Sequence, residues 1–454
     1  MEQAVTLNKR ELNKKLLKIA LPISVQGVVS ATLSMVDTFM VGMLGETEVA
    51  AVGVASQMFM IHFMIAFGLC GGTATFVAQF YGAGDKPNIR KSIGFVSTVL
   101  MGIGILFFTA VMLYGRQILG FYSQDPAVVD LSCKYIRVCA VAFLMIAIAQ
   151  PMSMGTKATQ QTRVPMVTSW AVFAINIVVN YVLIFGKFGF PKLGVIGAAI
   201  GTVAARTCEM MVYLIFVASR RNYFRGSLRS YFGWSREFVM RVIRNAAPTT
   251  GNEFLWGLGQ TMYVAAFNRI GTTQFAAYEA ASAIANIFSF AAFSVGDATL
   301  IMVGQKLGEG KKEEAWEISK HLIKVGVIVG AIAGGLIILT ARPMSQIFHL
   351  TDLGKHYVFW LLVVLGLSNP LSQYNGMQIT GNLRGGGDTR FAMIAESSCV
   401  WLVAVPMAFL AAVPWHLSIV WAYILTRMED VVKFFILTWR WLSKKWLNNV
   451  ISGL

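Results

Sequence analysis

The chain has 454 residues, 56% of them hydrophobic and only 13% charged, where soluble domains carry about 25% charged residues. A mean hydropathy of +0.62 places apolar side chains on the outside as well as the inside, the mark of a protein dissolved in a bilayer. The net charge of +16 does not point to nucleic acid, because the basic residues fall between apolar segments as a topology signal does.

A spanning helix needs about 20 mostly apolar residues. Runs of that kind predict helices over 17–42, 50–81, 93–115, 131–154, 165–186 and 195–219, then over 240–265, 275–305, 317–340, 355–380, 391–412 and 416–440. The N-terminal segment has no small-residue cleavage site, so its first apolar run reads as a retained span. The five cysteines are dispersed without metal or redox spacing and read as packing residues.

Loop charge alternates. Lys9, Arg10, Lys14, Lys15 and Lys18 precede the first span, and Lys86, Arg90 and Lys91 follow the second. Lys157, Arg163, the stretch from Arg220 to Arg244, Lys311, Lys312, Arg384, Arg390, Lys444 and Lys445 fall on the same side. The opposite loops carry Glu46, Glu48, Asp125 and Asp130. Counting positive charges places both termini in the cytoplasm and the chain in the cytoplasmic membrane.

A repeat underlies the pattern. Shifting the chain by 226 residues brings Pro22 onto Pro248, Gly45 onto Gly271, Phe67 onto Phe293, Thr73 onto Thr299 and Gln79 onto Gln305. Gly82, Gly84 and Lys86 then meet Gly308, Gly310 and Lys312. With one further residue of slip, Thr162 and Arg163 meet Thr389 and Arg390. Six helices per copy is an even number, so both copies enter from the same side. The expected architecture is an all-α integral membrane protein of twelve transmembrane helices, two parallel six-helix repeats around a central cavity. It divides into a lobe over 1–219, a basic cytoplasmic linker over 220–239 suited to a tether, and a lobe over 240–454.

Three glycine turns, Gly82-Ala83-Gly84-Asp85, Gly308-Glu309-Gly310-Lys311 and Gly385-Gly386-Gly387-Asp388-Thr389-Arg390, each end a helix on the cytoplasmic side. Glycine there supplies the left-handed residue that caps a helix. Together with Val36-Asp37-Thr38 and the Asn176/Asn180 pair, in this order on a duplicated frame, they resemble the multidrug and toxic compound extrusion (MATE) family over nearly the whole chain.

No phosphate-binding loop, HExxH or nucleophile elbow is present, and short loops leave no room for a nucleotide domain. The chain therefore reads as no enzyme. Uphill transport would draw on an ion gradient, which directs attention to carboxylates inside the membrane. The repeat acts as a control: Asp37 falls on Tyr263, Glu253 on Gly27 and Asp297 on Gly71, so the shared scaffold does not need these acids.

Asp37 lies eight residues before Gly45, about 12 Å from the outer end of its helix at 1.5 Å per residue. A carboxylate at that depth must be neutralised, by a proton or by a cation such as Na⁺. Asn176 and Asn180 share a helix face one turn apart, and Thr202 lies in the next span. The resemblance implies that these three face Asp37 and complete a coupling-ion site. Some MATE members carry Asp where this chain has Asn180, which leaves Asp37 the lone acid of that set.

Glu253 and Asp297 fall at similar depth on neighbouring antiparallel spans and can form one acidic pocket for a lipophilic cation or a coupling ion, with Trp256 and Tyr263 as cation–π partners. A different branch of the family carries its glutamate about one turn deeper than Glu253. Arg206 with Glu209, Arg427 with Asp430, and Glu429 with Lys433 are spaced to neutralise each other, and His62 reads as a packed histidine. The functional expectation is an antiporter, exporting small organic cations in exchange for Na⁺ or H⁺, without a cofactor, as a monomer in the lipid bilayer. A lipid-linked precursor flippase, a membrane-embedded transferase and a gated channel stand as alternatives.

Overall fold

The computed structural model describes residues 8–219, 222–347 and 350–454, with the backbone alone for 286–292. Residues 1–7 of the expected first lobe and Arg220, where the expected linker begins, lie outside the described residues. Helices α1 (Lys9–Gly42), α2 (Glu46–Gly82), α3 (Lys86–Gly120), α4 (Pro126–Cys139), α5 (Ala142–Ala158), α6 (Arg163–Phe185) and α7 (Val195–Ala218) come first. A short 3₁₀ turn over Leu228–Tyr231 leads to α8 (Arg236–Asn268), α9 (Thr272–Gly308), α10 (Lys312–Ile347), α11 (Asp352–Gly376), α12 (Thr389–Cys399), α13 (Val405–Ala412), α14 (Ile419–Thr426) and α15 (Met428–Leu442). Among the described residues there is no strand.

Taking α4 with α5, α12 with α13, and α14 with α15 as broken spans, six spans fall in each repeat, and the fold is the twelve-helix bundle expected. Among the described residues six helices (α1, α2, α3, α6, α7 and α10), the run through α12 and α13, and the bent α4/α5 pair are long and apolar enough to cross a membrane by length and composition alone. The α14/α15 span carries Arg427, Glu429, Asp430 and Lys433, and α8 carries Glu253.

Four spans depart from the continuous helices read in the sequence, one of them 416–440, which is split at Arg427 into α14 and α15. The run over 131–154 is two helices bent by 51°. At the break Phe143 and Leu144 bond back three residues, to the carbonyls of Ala140 and Val141, so a tightened turn makes the bend without proline or glycine. Helix α11 runs on as a π-helical stretch over Met377–Leu383, and a second π stretch, Val400–Ala404, joins α12 to α13. The glycine turns behave as the sequence implies, with Gly84, Gly310 and Gly387 at φ of +75°, +78° and +72°.

The chain forms two compact units. One comprises Val25–Val77 and Gly84–Val242, the other Met1–Ser24, Ala78–Ala83 and Ile243–Leu454. The core of the former gathers Met40, Ala55, Ile136, Phe143 and Ala199. The described part of the stretch read as a cytoplasmic tether makes packing contacts within this unit. Phe224 is fully buried, Trp234 Nε1 donates to the Lys91 carbonyl at 3.0 Å, and Gly94 leaves room for the backbone of Tyr231. Tyr231 donates its hydroxyl to the Phe224 carbonyl, and burial pushes that phenol up to about 12 against the pull of Arg90.

The other unit has its core around Phe267, Ala277, Leu362, Ala404 and Ala422. Here the ends of α2 and α9 cross at their glycines. A methyl on Gly82 would lie 2.0 Å from the Gln305 carbonyl oxygen, and one on Gly308 would lie 1.9 Å from that of Gln79. The two contacts are reciprocal and fall at matched positions of the repeat, so close approach through small residues is a property of the duplicated scaffold.

Candidate cation sites

In the first unit the oxygen-rich set foreseen around Asp37 is assembled. Asn180 on α6 donates through Nδ2 to Asp37 Oδ1 on α1 at 2.6 Å, and to Asn176 Oδ1 at 3.0 Å. Asn176 and Asn180 are buried, and Asp37 is partly so. Spending both amide protons this way leaves Asn180 Oδ1 buried with no hydrogen-bond partner, a costly state for a carbonyl oxygen unless a cation or donor meets it. Gly201 on α7 makes the room, since a methyl there would lie 1.8 Å from that oxygen.

Thr202 bonds back to the Ala198 carbonyl at 3.1 Å and meets the hydroxyl of Tyr135, which the sequence reading did not single out. Tyr135 is buried and interacts electrostatically with Asp37, so it belongs to the same set. Arg206 acts on Asp37 from further off and is itself held by Glu209 at 2.6 Å. His62 packs between the rings of Phe107 and Phe143. The donor set is one carboxylate with neutral amide and hydroxyl oxygens, hard ligands that suit an alkali cation. Among the described residues no three His, Cys, Asp or Glu side chains gather around a metal position.

The second unit is arranged differently from the acidic pocket foreseen. Glu253 on α8 is ion-paired with Arg384, whose side chain is 5% exposed. Arg384 was counted among the cytoplasmic loop charges because it precedes three glycines, yet it sits at the buried end of the π-helical stretch. Asp297 does come close enough to Glu253 to interact with it, as does Glu396. Trp256 is 40% exposed. Tyr263 lies in the apolar core and donates to Glu429 at 3.3 Å rather than meeting Glu253.

Around Glu429 the foreseen neutral pairs form, Lys433 with Glu429 at 3.2 Å and Arg427 with Asp430 at 3.4 Å. Ser372 and Asn375 add hydrogen bonds to Asp430. Glu396 on α12, missed in the sequence, accepts from Asn252 Nδ2 at 2.6 Å. The repeat comparison had the means to find it, since with the one-residue slip Glu396 falls on Ser169.

The MatE family model matches residues 22–182 and 248–433, two segments whose starts lie 226 residues apart. The probable multidrug resistance protein YoeA of Bacillus subtilis is 25% identical, across 86% of this chain and 84% of its own. The probable multidrug resistance protein NorM of Thermotoga maritima is 24% identical, across 97% and 94%. Among solved structures, an outward-facing multidrug resistance MATE transporter superposes with a TM-score of 0.86 at 19% identity, covering 97% of this chain and 100% of that one. A transporter from Pyrococcus furiosus described as having a binding pocket of reverse polarity superposes at 0.84 with 20% identity, covering 98% and 100%. With the model matching both repeats, the chain belongs to the multidrug and toxic compound extrusion family, is a multi-pass membrane transporter, and is not an enzyme.

Proposed function

We propose that the protein exports small organic cations across the cytoplasmic membrane in exchange for Na⁺ or H⁺, as a monomer with both termini in the cytoplasm. The observation that carries this reading is the Asp37–Asn180–Asn176 set with its unpartnered Asn180 oxygen. The multidrug resistance proteins named above support the substrate class.

Asn180 holds the carboxylate of Asp37 in place by a charge-assisted hydrogen bond. A coupling cation adds to the free side of that carboxylate and satisfies the Asn180 oxygen, with Asn176 and Thr202 proposed as further ligands. Only a difference in ion affinity between inward- and outward-facing states couples the ion to the substrate. Such a difference arises if the state change moves α1 relative to α6, because the site is shared between these helices. In the second unit Glu253, Asp297 and Trp256 are the residues proposed for the substrate side.

Dye-cation efflux from liposomes holding purified protein, with Na⁺ and pH gradients imposed separately, tests the reading. One gradient should accelerate efflux, and Asp37→Asn should remove that acceleration. Efflux indifferent to both gradients rules out the antiporter.

A further inference from the structure

We infer that the stretch between α7 and α8 is a docking surface for acidic phospholipid, with its arginines on the headgroups and its exposed apolar side chains at the acyl boundary. The inference goes beyond the antiport reading and takes from it only the leaflet, the cytoplasmic one on the topology proposed above.

One face of the stretch is fixed on the first unit. Phe224 is fully buried beside Gly155 of α5, where an added methyl would lie 3.1 Å from Phe224 Cε1. Trp234 lies edge-on to Phe95 of α3, with ring centroids 5.6 Å apart. Arg90 Nη1 of α3 donates to the carbonyls of Tyr223 at 3.4 Å and Arg225 at 3.3 Å. A methyl on Gly94 would stand 2.0 Å from the Tyr231 carbonyl oxygen, so the 3₁₀ turn rests directly on α3. A linker that only joined two helices would need none of these contacts.

The other face carries Arg225, Leu228, Arg229, Phe232 and Arg236, all exposed, with Leu228 at 80% and Phe232 at 49%. From Asn222 to Arg236 there is no acidic residue. Among the described residues these three arginines make no ion pair, and the first acid beyond them, Glu237, is taken by Arg241 at 2.6 Å. A single exposed leucine needs no explanation. Two apolar side chains held among three unpaired arginines have the composition of an element that lies in the membrane interface.

The contacts also set the depth. Lys91, Gly94 and Phe95 bracket residue 93, where the apolar run of α3 begins. Further along, α3 exposes Ile105, Leu106 and Leu113, as a lipid-facing span does. The turn therefore sits where headgroups meet hydrocarbon. Acidic headgroups are the anions present at that level, and basic clusters beside a span attract them. A soluble acidic partner would have to reach the same face at the edge of the bilayer.

The test is native mass spectrometry of the purified full-length protein with phosphatidylglycerol and phosphatidylcholine of matched acyl chains in equal amounts. Wild type should retain phosphatidylglycerol preferentially. Arg225→Gln and Arg229→Gln should each lower the relative affinity for it about fivefold, and Leu228→Ser should lower retention of both lipids without changing their ratio. These side chains are exposed, so the thermal midpoint in excess phosphatidylcholine should stay at the wild-type value and show that the variants fold. Lys445→Gln, at an exposed basic residue of the C-terminal segment, should leave the preference intact. Equal retention of the two lipids by wild type overturns the inference, as does an equal loss in Lys445→Gln, which would make the preference one of net charge alone. Displacement of phosphatidylglycerol by inorganic phosphate also overturns it, by assigning the arginines to a soluble anion. The measurement needs neither transport nor a gradient, so it fails or holds independently of the antiport reading.

Discussion

The Asn180 side chain that holds Asp37 is accommodated by a residue with no side chain. Gly201 lets the Asn180 carboxamide lie flat against α7, and a methyl there would stand 1.8 Å from Asn180 Oδ1. Alanine at this position must push the amide away, and with it the 2.6 Å bond that orients the carboxylate. Helix propensity works the other way, since alanine is the better helix former by about 1 kcal/mol. Gly201→Ala is therefore expected to leave thermal stability within about 1 kcal/mol of wild type while cutting gradient-driven efflux about tenfold, the equivalent of about 1.4 kcal/mol in the barrier. Equal efflux in the two proteins would mean that the Asn180 orientation does not matter for coupling. At the same scale Arg384 changes the meaning of Glu253. An acid that looks unpaired in sequence is half of a buried ion pair, because a basic residue next to three glycines reads as loop and is in fact the end of a helix.

The elements obey the repeat more closely than the side chains do. Gly82 and Gly308 are matched in sequence and make reciprocal contacts, each with a missing methyl against the other helix's backbone oxygen, at 2.0 and 1.9 Å. A backbone oxygen within a helix cannot swing aside as a side chain can. Gly82→Ala or Gly308→Ala should each destabilise the protein by about 1–3 kcal/mol, read as a lower midpoint in thermal unfolding. Gly102→Ala, whose methyl would meet open space, is the control and should cost nothing. Spans, glycine caps and the 226-residue register were legible because they follow from hydropathy and local backbone demands. The Asp37 set was legible through the family resemblance. The bend between α4 and α5 and the π-helical stretches were not, since no proline or glycine marks the bend and π turns have no fixed composition. Glu396 escaped because its partner is 144 residues away, and the linker's packing because its charge suggested solvent.

For the molecule as a whole, the C-terminal segment after α15 ties together helix ends from both repeats. Gln79, at the end of α2, donates through Nε2 to the carbonyls of Asn448 at 3.0 Å and Gly385 at 3.2 Å, and accepts from Val450 N at 2.8 Å. Asn449 Nδ2 donates to the Leu307 carbonyl of α9 at 3.0 Å, and Trp446 is fully buried against the ring of Trp316. Alternating access requires helix ends on one face to part, and ends bound to a common strap part more slowly. Gly386→Ala tests this, because its methyl would lie 2.0 Å from the Trp446 carbonyl oxygen and the strap must lift to admit it. Tryptic cleavage at the exposed Lys444 and Lys445 should become faster. Turnover should change as well, whereas the final substrate ratio across the membrane should not, since that ratio depends on the ion gradient and stoichiometry rather than on any barrier within the cycle. A shift in the final ratio would show that the strap acts on coupling itself, and unchanged cleavage would show that it is held elsewhere.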